Sequence, residues 1–302
     1  PLLNRTQSMP DLFPEPIAKW IGQQSLQLIA STTLSGGCVA QVRQLTLQTK
    51  QGKRIQLVLK QMPGRAAEQL AAEMCGLQAL HLSEPHALRV PHVVMQEGDC
   101  LLLEYLSPAP PADDFDTQLG IGLALQHRSE SDCGQFGFDT DTFCGGTRQP
   151  NQWQTDGVVF YARQRYQVLA TQSLQLNRIT AGLFDQILRL CDKLPELLPG
   201  QLAVLLHGDL WSGNVICGPQ GQPALIDPAV YYGWAEAELA MTQMFGGFSH
   251  RFYQVYEAHS NILPGWRDRA DLYNLYHYLN HLLLFGGAYH RDVERIVKYY
   301  SG

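Results

Sequence analysis

Apolar residues recur at two periods along this chain, and the change of period divides it. Between residues 25 and 60 the period is two. Leu26, Leu28 and Ala30 alternate with polar neighbours over 25–32, and Leu45 and Leu47 do so over 42–48. A turn at Lys50-Gln51-Gly52-Lys53 then leads into 55–60. Such alternation predicts half-buried strands. From about 66 to 82 the spacing becomes helical, with Leu70, Met74, Leu77 and Leu80 on one packing face. Residues 89–94 and 100–106 read as two further strands. Pro108, Pro110 and Pro111 then interrupt both patterns, because proline neither continues a strand nor starts a helix cleanly there. The expected fold class is α+β in two lobes, β-rich over 1–106 and mostly helical over 107–302. Helices are predicted at 117–126, 158–172, 179–198 and through most of the remainder to Tyr300. Residues 1–16, with four prolines, read as an irregular arm, and 17–21 as a short helix whose apolar residues pack on the neighbouring lobe. Residues 131–157, rich in Gly, Asp and Thr, read as a long loop, and long loops in compact domains are often functional.

The chemistry concentrates in His207-Gly208-Asp209-Leu210-Trp211-Ser212-Gly213-Asn214. The apolar run 202–206 leads into it, and two short strands, 215–217 and 223–226, follow around a Gly-Pro-Gln-Gly turn, ending in Asp227-Pro228. An Asp, an Asn five residues on, and an Asp closing the next strand is the spacing that kinase-type phosphoryl transfer uses. In that chemistry the first Asp takes the acceptor hydroxyl's proton, and the Asn and second Asp hold Mg2+. The other parts stand upstream in the required order. Lys60 ends a strand and is placed to reach phosphates. Glu73 lies among the inward residues of the next helix and is a better ion-pair partner than Glu68. Gly36-Gly37 is either a plain hairpin turn or a lid whose backbone N–H groups approach phosphates. Glu104-Tyr105-Leu106 precedes the prolines, where a hinge would offer main-chain groups to adenine. His277 and His281 share a helix face at metal-ligand spacing. No acidic third ligand stands at a supportive spacing, so core or groove lining is the expectation.

Composition narrows the setting. The chain has 302 residues, 45% apolar and 17% charged, with a net charge of −6. An acidic balance argues against a nucleic-acid partner. No apolar run approaches the roughly 20 residues that span a bilayer, and the N-terminus lacks a basic-then-apolar leader. Seven cysteines, an odd count with no CxxC, point to reduced thiols in a cytoplasmic setting.

The string from His207 to Asn214, followed by Asp227-Pro228-Ala229, resembles the fructosamine/ketosamine-3-kinase family. The resemblance extends through Tyr232-Gly233, Glu236-Ala237-Glu238-Leu239-Ala240, Met244-Phe245-Gly246-Gly247-Phe248 and Asn280-His281. Upstream it takes in Gly36-Gly37-Cys38, Phe136-Gly137-Phe138, Cys144-Gly145 and Asn151-Gln152-Trp153. A bare HxDxxxxN would also suit aminoglycoside, choline and homoserine-type kinases; the Trp-Ser-Gly insert and Asp-Pro-Ala narrow it. The resemblance implies a protein-kinase-like fold and ATP- and Mg2+-dependent phosphorylation of the sugar O3 of ketosamines, ribulosamine, erythrulosamine or fructosamine. The acceptors are small molecules or glycated protein lysines. The 3-phosphates break down to free amine, hence deglycation. It implies Asp209 as base, Asn214 and Asp227 as metal ligands, and Lys60 with Glu73 as the phosphate-positioning pair. Gly36 and Gly37 become the lid, Glu104, Tyr105 and Leu106 the adenine hinge, and Trp211 a sugar platform or else a plug packing the loop. His207 is expected as scaffold. Some family members carry a cysteine at the position of Cys38 that forms an intersubunit disulfide, implying a redox switch in a homodimer. There are departures: the loop before Glu73 is slightly short, and Gly157 stands where a tryptophan is expected, which puts the preferred sugar in question and not the chemistry. An aminoglycoside kinase of the same fold and a non-catalytic nucleotide-binding protein are the rival readings.

Overall fold

The computed structural model describes residues 14–34, 40–62, 64, 67–83 and 87–301. Gly36, Gly37 and Cys38 lie outside the described residues, and so do the lid and redox readings placed on them. Helix α1 (Glu15–Gln23) precedes β1 (Gln27–Thr33), β2 (Gln41–Gln48), β3 (Arg54–Gln61), helix α2 (Ala67–Leu82), β4 (Val93–Glu97) and β5 (Cys100–Glu104). The five strands form one antiparallel sheet in the order β1-β2-β3-β5-β4.

The period-two pattern decides which side of this sheet carries chemistry. Leu45, Leu47, Leu57, Leu59 and Leu102 turn to one face and bury against Ile17 and Ile21 of α1. Each isoleucine so buried contributes about 1.5–3 kcal/mol. Helix α1 thus packs on the sheet that follows it. The alternate residues Val58, Leu101 and Leu103 face Leu70, Leu77 and Leu80 of α2. Lys60 has the parity of Val58, so its side chain points to the α2 side.

The predicted strand over 89–94 is displaced. The ladder begins at Val93, while Arg89 bridges to Ala224 in the other lobe and its carbonyl accepts from Leu225 N at 2.8 Å. Pro91 has no N–H to give a ladder, so the segment before it finds partners elsewhere.

After the prolines come α3 (Phe115–Gln126), a small hairpin of β6 (Thr142–Cys144) and β7 (Thr147–Gln149), and α4 (Gly157–Tyr161). A π-helical segment, Ala162–Gln167, then leads into α5 (Val168–Gln175). Helix α6 (Ala181–Leu197) returns the chain to β8 (Val204–Leu206). Strands β9 (Val215–Cys217) and β10 (Pro223–Leu225) pair, and β11 (Tyr231–Gly233) pairs with β8. Helices α7 (Ala235–Thr242), α8 (His250–His259), α9 (Trp266–Phe285) and α10 (His290–Ser301) complete the chain. The predicted 131–157 loop therefore contains a hairpin, turned by Gly145 at φ +61°. No helix among the described residues is long and apolar enough to cross a membrane.

Gly157 opens no pocket. A Cβ there would lie 2.5 Å from Trp234 Cζ2 and 2.7 Å from Phe136 Cζ, so the indole of Trp234 already fills the space. Trp234 stacks on Tyr161 and meets Phe136 edge-on. Gly157→Ala is expected to cost about 1–3 kcal/mol by overpacking. Chemical denaturation would read this as a lower midpoint at unchanged slope; an unchanged midpoint would mean the aromatic packing yields.

Candidate active site

Strand β8 delivers the loop 207–214 into a frame of buried hydrogen bonds. The carboxylate of Glu238, on α7 and only 2% exposed, accepts from His207 N at 2.9 Å and from Gly208 N at 2.7 Å. Its Oε2 also accepts from His127 Nε2 at 3.1 Å, and the other ring nitrogen of His127 lies 2.7 Å from the Tyr256 hydroxyl. Burial pushes Glu238 up, but the hydrogen bond and charge of His127, with the donors at His207, outweigh it and hold Glu238 below the usual carboxylate range. His207 acts as the scaffold expected. Its Nε2 donates to Ile226 O at 2.9 Å, and its Nδ1 accepts from Asp209 N at 3.3 Å. Gly208 takes φ +83°, and a Cβ would strike Ala229 O at 2.0 Å, so only glycine lets the two segments pass.

The two polar residues of the loop are tied together. Asn214 Nδ2 donates to Asp209 O at 2.8 Å and to Asp209 Oδ2 at 3.2 Å. The β9–β10 pairing continues one step, with Ile226 N donating to Asn214 O at 3.0 Å, which sets Asn214 beside Asp227. Asp227 itself sits in the left-handed region at φ +57°, uncommon for a residue with a side chain. Burial pushes the Asp209 carboxyl up to about 7, with the Asp227 and Glu238 charges adding and the Asn214 and Cys144 hydrogen bonds opposing. Across from them Lys60 donates to Glu73 Oε1 at 2.5 Å and to Asp227 Oδ1. Burial acts to lower the Lys60 pKa, but the two carboxylates more than offset it, so the ammonium stays charged. Glu68, the alternative helix glutamate, pairs instead with Arg148 at the surface, at 3.0 Å.

Asn214 spends its amide N–H groups on Asp209, so its side-chain carbonyl oxygen is the atom it can offer a cation. With the carboxylate of Asp227 it makes an all-oxygen donor set, the kind that suits a hard dication such as Mg2+. The residues present therefore fit such an ion.

The remaining sequence-predicted residues spread around this centre. Glu104 ends β5 with its side chain engaged by Arg89 at 2.5 Å and by His92 N at 3.2 Å and its own N–H donating to His92 O at 2.8 Å, so its main-chain carbonyl and the main chain of Tyr105 and Leu106 are what a hinge could use. Trp211 is half-buried. Its ring lies over Gly213, where a Cβ would come within 2.3 Å of it, and meets Phe245 edge-on at 5.7 Å.

Three side chains at the site escaped sequence reasoning. Glu238 stood in the sequence only within the stretch Glu236-Ala237-Glu238-Leu239-Ala240 of the family resemblance, with no role attached. Cys144 arrives beside Asp209 from the β6–β7 hairpin. Arg165, fully buried in the π-helical segment, donates to Pro150 O at 2.6 Å and Asn151 Oδ1 at 2.8 Å and lies over the Tyr231 ring at 4.2 Å. A π-segment often marks a functional site, but no residue pattern announces it.

The profile of the fructosamine kinase family matches residues 15–301. The chain belongs to the fructosamine kinase family. A probable ketoamine kinase of Synechocystis sp. is 36% identical over 302 residues, covering 96% of this chain and 98% of the relative. A chloroplastic protein-ribulosamine 3-kinase of Oryza sativa subsp. indica is 30% identical over 309 residues, covering 98% and 86%. A Thermobifida fusca crystal structure with a provisional fructosamine-3-kinase designation superposes at TM-score 0.81 with 26% identity, covering 93% and 96%. The ADP-bound aminoglycoside phosphotransferase APH(2'')-Ib superposes at 0.61 with 14% identity, covering 96% and 98%, a likeness of fold alone. The fold of this fructosamine kinase family member is protein-kinase-like, a β-sheet lobe followed by a helical one.

Proposed function

We propose that this chain is an ATP-dependent kinase that phosphorylates the 3-hydroxyl of ketosamines and so promotes deglycation. The observation that carries the reading is the joining of Lys60, Glu73 and Asp227 in one partly buried ion network next to the hydrogen-bonded pair Asp209–Asn214. That convergence supplies each group phosphoryl transfer asks of a protein. Membership of the fructosamine kinase family and relatives named ketoamine and ribulosamine 3-kinases support the acceptor class.

Asp209 is the general base, taking the O3 proton on a carboxylate oxygen. Lys60, oriented by Glu73, positions the α/β-phosphates, and Glu104, Tyr105 and Leu106 offer main-chain groups to the adenine. Asn214 and Asp227 would hold Mg2+. Magnesium-ATP, when bound, supplies the phosphoryl group and neutralises charge on its oxygens. Trp211 offers a partly open indole edge as the sugar platform, steadied by Phe245. The acceptors are small ketosamines or glycated lysine side chains.

The test is ATP consumption with ribulosamine, fructosamine and aminoglycoside acceptors, with the phosphate located on the product by NMR. Turnover of ketosamines at O3 is expected. Turnover only with aminoglycosides would replace the acceptor class, and none with any acceptor would favour a non-catalytic nucleotide-binding protein.

A further inference from the structure

We propose that Cys144, Asp209 and His277 form a binding site for one soft divalent cation, of the Zn2+ class, which occupies the Asp209 carboxylate and shuts off phosphoryl transfer. The three come from separate elements: β6, the loop after β8, and α9. Their ligand atoms nonetheless all lie within 4.8 Å of one another. Zinc bonds of about 2.0–2.3 Å set tetrahedral neighbours roughly 3.5 Å apart. Closing onto a cation thus needs side-chain shifts of about an ångström.

The donor set selects the ion. A thiol, an imidazole and one carboxylate suit Zn2+ or Co2+ and are poor ligands for Mg2+, which takes oxygen. The set is therefore chemically distinct from Asn214 and Asp227. His277 gives the independent sign of a ligand. It is 4% exposed and its Nδ1 has no hydrogen-bond partner, an arrangement that normally costs stability. Burial, with His281 and Arg165 nearby, depresses it to about 3, so the ring is neutral and keeps a lone pair for a metal. Burial, with the Asp209 charge and hydrogen bond adding and the Asn280 amide and Arg165 charge opposing, pushes the Cys144 thiol well above the usual range, so it is a thiol until a cation displaces its proton. Asn280 Nδ2 also donates to Cys144 O at 3.1 Å, fixing the hairpin on α9. On binding, the thiol proton passes to solvent, and thiolate plus carboxylate balance the dication's charge. Three protein ligands leave the fourth position for water.

The histidine pair suggested by spacing is not the site. His281 faces Phe245, Phe285 and Tyr289, and its Nδ1 meets the carbonyl of His277 at 2.8 Å. The acidic ligand missing from the neighbourhood of His277 in sequence is Asp209, brought there by the fold.

The inhibitory consequence rests on Asp209 being the kinase base; the binding site does not. The test is Co2+ titration of the full chain in metal-free buffer. A thiolate-to-cobalt charge-transfer band is expected, saturating at about one cation per chain and displaced by Zn2+. Cys144→Ser should abolish the band and Cys217→Ser should keep it. His277→Gln should weaken affinity at least ~10-fold. ATP consumption is measured alongside, with Zn2+ inhibition expected in the wild type and relieved in His277→Gln. No band in the wild type, or a band that survives Cys144→Ser, overturns the site. A band without turnover of any acceptor would keep the site and overturn the kinase reading, and turnover without a band would do the reverse.

Discussion

Asp209→Asn is expected to lower kcat at least ~10²-fold, with KM for ATP and the melting temperature close to those of the parent. The amide keeps the size and the acceptor oxygen that Asn214 Nδ2 binds, and the bond from Asn214 to Asp209 O is untouched. What it loses is the capacity to take a proton. The folded chain holds the Asp209 pKa up because burial penalises its charged form, so a neutral amide removes a cost and should not unfold the loop. A fall in kcat with unchanged ATP affinity would locate the loss in the transition state. Steady-state kinetics beside a thermal melt decides it: near-parental turnover in a folded variant would remove Asp209 from the role of base.

The second large effect lies one residue layer behind the chemistry. Glu238→Ala is expected to destabilise the protein by about 3–5 kcal/mol and to abolish turnover in whatever fraction remains folded. The carboxylate satisfies two main-chain N–H groups, those of His207 and Gly208, and the ring of His127, all buried. Removing it leaves three donors with no acceptor, each costing about 1–3 kcal/mol. Glu238→Gln is the milder control, since it keeps one acceptor oxygen but sets an amide N–H2 against a backbone N–H. The pH dependence follows from the depressed folded pKa of Glu238. Its contribution is fully present above the ordinary carboxylate range and is lost as pH falls through that range towards the lower folded value. Denaturation midpoints at neutral and acid pH should therefore converge between parent and variant as pH drops. A constant gap would mean that Glu238 acts only by filling space.

How far these residues could be read in advance depended on how local their signal was. The strands of the first lobe were visible because alternation must match the two faces of a sheet, and the same alternation put Lys60 on the face of α2. Glu73 was preferred to Glu68 from helix spacing, and the structure pairs Glu73 with Lys60 and sends Glu68 to Arg148. The strand at 89–94 was misplaced because the bridge from Arg89 to Ala224 joins segments far apart in sequence. Gly157 stood out in the sequence only as a departure, because the ring that fills the space beside it, Trp234, is remote along the chain and no local pattern links them.

The sequence by itself determined the parts of the proposed phosphoryl-transfer centre and their order: a strand lysine, a helix glutamate, and the Asp209, Asn214 and Asp227 spacing held by one hairpin. These are set by short-range rules of strand parity, helix period and turn chemistry. The tertiary structure alone decided what surrounds the carboxylate of Asp209. Glu238 behind the loop, Cys144 from a small hairpin, and His277 from α9 meet there because burial packs helices and loops across long stretches of chain. Long-range packing leaves no periodic trace at the positions it joins, so the same pass along the residues that found Asp209 could not find its neighbours.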